Sequence, residues 1–162
     1  MKKFLSIFSI FCLIVLTTAT AEASVNSYDQ YGRKTGSYRQ TSSGYNTYNQ
    51  YGQKTGSYRE TSNGYNKYDK YGRKTGSLKE TSSGYNSYDQ YGRKNGSYKT
   101  GSNGVTTKYD QYGRKTGTFK KDSSGRVTEY DKYGRKTGTF KKDSSGRVTE
   151  YDKYGRKVGS YK

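Results

Sequence analysis

Tyr28-Asp29-Gln30-Tyr31-Gly32-Arg33-Lys34-Thr35-Gly36 is a phrase the chain repeats: it returns with small changes from Tyr48, Tyr68, Tyr88, Tyr109, Tyr130 and Tyr151. The first three intervals are 20 residues and the last three 21, so six full units and a truncated seventh fall into two subfamilies joined inside the fourth. The copies that begin at Tyr109 and Tyr130 differ only at Gln111 and Lys132. Self-similarity at a fixed period of this size marks a repeat architecture in which each unit is one supersecondary piece.

Each unit carries two turn signals. In Asp29-Gln30-Tyr31-Gly32 the aspartate suits the opening position of a type I turn, where its carboxylate caps backbone amides, and the glycine suits a closing position with positive φ. The second signal, Thr41-Ser42-Ser43-Gly44, becomes Asp122-Ser123-Ser124-Gly125 later in the chain. A type I turn followed by a glycine bulge is a common hairpin connection. Between the turns lie segments of strand length, Arg33 to Gln40 and Tyr45 to Tyr48, and their counterparts are rich in Thr, Tyr, Phe and Val. Glycines arrive every few residues and no apolar 3.6-residue period exists, which excludes helix. Each unit therefore reads as one β-hairpin. Because strand side chains alternate faces, the added residue between Gly125 and Tyr130 would swing Tyr130 to the opposite face unless a bulge absorbs it or Val127 takes over the inward role.

The segment ahead of the array is of a different kind. Lys2 and Lys3, the apolar run from Phe4 to Leu16 and the small-x-small Ala21-Glu22-Ala23 predict a signal peptide over residues 1–23, with the repeat array over 24–162. The apolar run falls short of the ~20 residues needed to cross a bilayer, so no transmembrane span is expected after cleavage. The expected destination is outside the cytoplasm: secreted, periplasmic or at the cell surface. Cys12 is the only cysteine and lies within the leader, so disulfides cannot staple the array.

Composition then limits both fold and chemistry. The array's aliphatic residues are Val25, Leu78, Val105, Val127, Val148 and Val158, joined by Phe119 and Phe140, too few for an ordinary two-layer core. In their place stand 21 tyrosines, each a large ring to bury and a hydroxyl that must stay wet or find a partner. The expected fold is all-β: tandem hairpins stacked as a solenoid or ribbon over a thin tyrosine core. The alternative is a largely disordered chain, as low aliphatic content and high charge favour.

With no histidine and no cysteine after the leader, a base-activated nucleophile and the usual zinc sites are excluded, and no enzyme activity, cofactor or metal is expected. The recurring Asp29, Asp69, Asp89, Asp110, Asp131 and Asp152 read as turn caps, since Asn49 replaces one without altering its neighbours. The basic residues are the remaining signal. Taking Lys2, Lys3 and Glu22 from the chain's 31 basic and 13 acidic residues leaves a net charge of +17 on the array. Arg33 and Lys34, Lys54 (after Gln53), Arg73 and Lys74, Arg93 and Lys94, Arg114 and Lys115, Arg135 and Lys136, and Arg156 and Lys157 all hold one phase of the repeat. Regular stacking aligns them as a cationic stripe suited to an anionic polysaccharide or envelope polymer, and the same stripe admits non-specific nucleic-acid binding. The competing expectation is a structural envelope or matrix protein that self-associates through its Tyr and Gly repeats, with the charges keeping it soluble.

In the later units the text becomes more specific: Asp122-Ser123-Ser124-Gly125-Arg126-Val127-Thr128-Glu129-Tyr130-Asp131-Lys132-Tyr133-Gly134-Arg135. Tyr-Asp-x-x-Gly-Arg, preceded about ten residues earlier by another x-x-Gly-Arg, resembles the YD repeats of RHS-type bacterial surface and toxin proteins, over essentially all of residues 28–162. That resemblance implies a β scaffold of hairpin strips wrapped as a shell, with no activity of its own. A weaker likeness runs to choline-binding and cell-wall-binding repeats, and it implies an aromatic cage from Tyr31, Tyr38 and Tyr48.

Overall fold

The computed structural model describes residues 24–162, so the signal peptide expected over 1–23 lies outside the described residues. Fourteen strands make up the array. Seven lead into the aspartate turns: β1 (Ser24–Asp29), β3 (Gly44–Asn49), β5 (Gly64–Asp69), β7 (Gly84–Asp89), β9 (Thr106–Asp110), β11 (Val127–Asp131) and β13 (Val148–Asp152). Seven lead away from them: β2 (Lys34–Thr41), β4 (Lys54–Thr61), β6 (Lys74–Thr81), β8 (Lys94–Thr100), β10 (Lys115–Lys121), β12 (Lys136–Lys142) and β14 (Lys157–Tyr161).

Every strand pairs antiparallel with its sequence neighbours, and β1 pairs with β14, Ser27 opposite Tyr161 and Asp29 opposite Gly159, so the sheet closes into a barrel. At the seam the Asn26 N–H donates to the Lys162 carbonyl (2.6 Å) and the Lys162 N–H returns to Asn26 (2.9 Å). The all-β hairpin array is thus as expected, but the solenoid or ribbon is not. The segment linking one hairpin to the next is itself a strand, as Gly44–Asn49 shows. Successive hairpins therefore extend one sheet sideways, and a twisted sheet of this length removes both of its edges by closing on itself.

The two turn types stand at opposite ends. At each aspartate turn the Gly32 N–H donates to the Asp29 carbonyl (3.1 Å) and the Asp29 N–H to the Arg33 carbonyl (2.9 Å), a type I turn with Gly32 in the left-handed region at φ 81°. The register then shifts between Ser27 and Tyr28, where Tyr28 faces Lys34 and Ser27 faces Gly36. Gly36 admits no side chain there: a Cβ would stand 2.6 Å from the Tyr48 carbonyl oxygen. At the other end the 20-residue units turn tightly through Ser42 and Ser43, with Thr41 directly opposite Gly44. In the longer units Lys121 faces Val127 across the wider loop Asp122 to Arg126, which repeats the aspartate-turn hydrogen bonds. The added residue is absorbed in that turn, so Val127 takes the inward place that Tyr45 holds, and Tyr130 keeps the face of Tyr48.

The register sorts the tyrosines. One face of the sheet carries Tyr45 opposite Tyr58, Tyr65 opposite Leu78, Tyr85 opposite Tyr98, Val127 opposite Phe140 and Val148 opposite Tyr161. Phe119, Val127, Phe140 and Val148 are buried together there with Tyr98 and Tyr161 packed against them, so this face is the lumen. The outer face sets Tyr48 opposite Ser37, Tyr68 opposite Ser57 and Tyr130 opposite Thr118. The 21 tyrosines thus divide equally into seven in the lumen, seven on the outer wall and seven at the tips of the aspartate turns. A barrel of about eight strands is filled by its own side chains; fourteen enclose more space, and a large ring with a polar tip suits a lumen partly filled and partly wet.

Candidate functional site: the aspartate-turn rim

Each aspartate turn is a clamp. Asp29 Oδ1 accepts the N–H groups of Tyr31 (2.9 Å) and Arg33 (2.9 Å), while Oδ2 accepts the Arg33 Nε–H at 2.7 Å. The same contacts recur at Asp69, Asp89, Asp110, Asp131 and Asp152. Asn49 and Gln53 form a neutral version: Asn49 Oδ1 accepts from Tyr51 (3.0 Å) and Gln53 (2.9 Å), and its Nδ2 donates to Gln53 Oε1 (2.9 Å). Partial desolvation pushes the Asp29 carboxyl upward, but the hydrogen bonds from the Arg33 backbone and guanidinium and from the Tyr31 amide outweigh it and hold the group below the usual aspartate range.

The clamp leaves one large side chain in water. Tyr31, Tyr51, Tyr71, Tyr91, Tyr112, Tyr133 and Tyr154 are 70–78% exposed, one at every turn tip. The Arg33 guanidinium lies over the Tyr31 ring with its centre 5.1 Å from the centroid, and five other units repeat that stack. Lys70, Lys132 and Lys153 add ammonium groups 4.7–4.8 Å from the rings of Tyr71, Tyr133 and Tyr154.

The basic residues singled out in the sequence all come to this rim, as a closed ring rather than a straight stripe. Their two positions differ in chemistry. Arg33, Arg73, Arg93, Arg114, Arg135 and Arg156 are each ion-paired to the aspartate four residues earlier. Lys34, Lys54, Lys74, Lys94, Lys115, Lys136 and Lys157 are exposed, and none of them is in an ion pair among the described residues. The register sets each lysine opposite an outer-wall tyrosine, Lys34 against Tyr28 and Lys54 against Tyr48. The pairing of the arginines was hidden in the sequence, although an aspartate four residues before every rim arginine, matched by Asn49 before Gln53, was its signal.

Below the rim, the outer wall carries a second set of stacks, Arg39 over Tyr48 (4.8 Å), Arg59 over Tyr68 (5.0 Å) and Lys79 over Tyr88 (5.2 Å). With Asn46 opposite Ser57 and Asn66 opposite Ser77 on the same face, this wall is polar, whereas a lipid-facing barrel needs an apolar outer band and strands of about 9–11 residues. Tyr31, Tyr38 and Tyr48 lie at the rim, in the lumen and on the outer wall respectively, so they do not line one cage.

No family model and no curated protein matches this chain. Among solved structures, an alternansucrase in complex with isomaltononaose is similar to 82% of this chain at 15% identity, with a TM-score of 0.21, a value that carries no argument. This chain spans 14% of the length of that protein.

Proposed function

We propose that the protein is an exported, non-catalytic binding module that holds an anionic polymer against its aspartate-turn rim. The observation that carries this reading is the ring of seven exposed lysines without acidic partners among the described residues, beside arginines whose charge is already matched. A ring of one sign focuses potential on one end of the molecule, and the exposed tyrosines above it supply flat faces and hydroxyls for hydrogen bonding or stacking. An acidic polysaccharide or envelope polymer fits this surface, and nucleic acid binds it non-specifically. The YD-repeat resemblance belongs to the same proposal, as a scaffold that presents residues without reacting.

Self-association is the alternative. Pairing of β1 with β14 leaves no strand edge free among the described residues, so assembly would have to run through the tyrosine tips.

The test is binding to heparin, lipopolysaccharide and duplex DNA across a salt series. Affinity is expected to fall steeply as salt rises, because each neutralised anionic group releases a counterion. Lys→Gln at all seven rim lysines is expected to flatten that dependence, while joint Asp→Asn and Arg→Gln at the six paired turns, which leaves the net charge unchanged as Asn49 with Gln53 does, has far less effect. Salt-independent binding, or equal effects of the two sets, overturns the reading.

A further inference from the structure

The lumen is not uniformly packed. Around Phe119, Phe140, Val127 and Val148 it is closed, but between β4 and β9 it holds a cavity of about 390 Å³. That volume is within the ~300–1,000 Å³ of ordinary ligand pockets. Tyr58, Tyr65, Leu78 and Tyr98 supply its apolar walls.

The polar side of this cavity is where the repeat stops repeating. At the inward position two residues before each aspartate turn, the chain places Ser27, Thr47, Lys67, Ser87, Lys108, Glu129 and Glu150 in successive units. The residue that follows is always tyrosine and the one before is only Asn or Thr, whereas this position changes charge from unit to unit, so it builds a zoned lumen, with two lysines on one side and two glutamates on the other. Lys67 and Lys108 both line the cavity, and Ser87 lies on the strand between them, bonded to Asn95. Lys67 faces inward yet is exposed, so water reaches the cavity. Its cationic head stands 5.9 Å from the centre of the Tyr58 ring and is in no ion pair among the described residues. Lys108 is balanced in part by Glu129, whose carboxyl burial holds above its ordinary range, with the Thr137 hydroxyl and the Lys108 charge offsetting only part of that rise.

A hydrated ammonium group turned into a tyrosine-lined cavity, in no ion pair among the described residues, offers an entering anion a charge-assisted hydrogen bond. Ring faces alternating with hydroxyl and amide groups match a saccharide ring, which offers apolar C–H faces and an equatorial belt of hydroxyls. We infer that the lumen between β4 and β9 is a binding site for a short acidic saccharide, its sugar ring against Tyr58 and Tyr98 and its carboxylate between Lys67 and Lys108. The site uses none of the rim lysines, so it stands or falls apart from the polymer reading.

The experiment is titration of the purified protein with digalacturonate, followed by saturation-transfer NMR and tyrosine fluorescence, against neutral maltose, benzoate and inorganic phosphate. Digalacturonate alone is expected to bind. The double variant Lys67→Thr, Lys108→Ser installs residues the chain already uses at this position, so the barrel is retained; it is expected to weaken binding by about tenfold or more, as loss of charge-assisted hydrogen bonds does. Ser87→Leu, which fills the cavity, gives a second, independent loss. The seven-fold rim Lys→Gln variant is expected to bind digalacturonate as the parent does, even where its polymer binding fails. Absence of binding, equal binding of phosphate or benzoate, or full retention by both lumen variants overturns the inference.

Discussion

Asp29 organises its turn through two backbone amides and a guanidinium, five other units repeat the arrangement and Asn49 with Gln53 keeps it without charge, so one turn chemistry governs a whole end of the barrel. Eight aspartates, six of them in these clamps together with Asp122 and Asp143, are held below their ordinary range. A carboxyl whose folded value is depressed contributes stability that is present above its unfolded value, ~3.9 for aspartate, and is lost as pH falls through the folded value. The melting temperature is therefore expected to hold from neutral pH to about 5 and to fall below about 4. The two backbone amides and the guanidinium hydrogen bond lower the carboxyl together, while the open ion pair between the charges, with the arginine about three-quarters exposed, is screened by solvent. Asn49 with Gln53 shows how to remove the charge without the geometry. Asp→Asn with Arg→Gln at the other six turns is expected to flatten the acid limb, measured by thermal melts between pH 2 and 7, whereas Asp29→Ala lowers stability at every pH. An unchanged acid limb in the six-fold variant would show that other groups govern it.

At the scale of the strand, the two subfamilies build two kinds of wall. In β10 and β12 the lumen residue is a phenylalanine that is 3–4% exposed, while at the matching place in β6 Leu78 is half-buried beside the cavity. Phe140→Ala is expected to cost about 3–5 kcal/mol, since it removes a ring from a closed pack. Leu78→Ala is expected to cost clearly less, because its surroundings are already open; denaturant unfolding compares them, and equal losses would contradict the zoned lumen. Much of this was legible in the sequence. Hairpin identity and turn positions follow from spacing and alternation, which are local, whereas alternation left the added residue either to a bulge or to an inward Val127, and the register decides for Val127. The pairing of each arginine depended on the curl of the turn, and the sharing of one cavity by Lys67 and Lys108 depended on how the closed sheet curves around the lumen, neither of which a periodicity states.

For the molecule as a whole, closure was the feature the sequence did not display, because β1 meets β14 across the full length of the array and no local signal distinguishes a strip from a ring. The seam is held at Asn26 and Lys162, so the two ends of the described chain meet along one pair of adjacent strands, β1 and β14. A circular permutant joining Lys162 to Ser24 through a short glycine linker, with new ends opened in the exposed Ser102-Asn103 turn, is expected to keep the parent's β circular dichroism and melting behaviour. Loss of the cooperative transition would mean that the seam does not close in solution.

The aspartate-turn hairpin also has a consequence for how such a gene changes length. The stretches beginning at Tyr109 and Tyr130 are almost identical, the situation in which misaligned recombination deletes or duplicates one copy. Each such event removes or inserts two antiparallel strands, so the parity needed for the ends to meet is preserved. The circumference then changes in whole hairpins, giving a lineage a graded series of ring sizes in which every added segment brings its own lysine to the rim and one more freely varied residue to the interior.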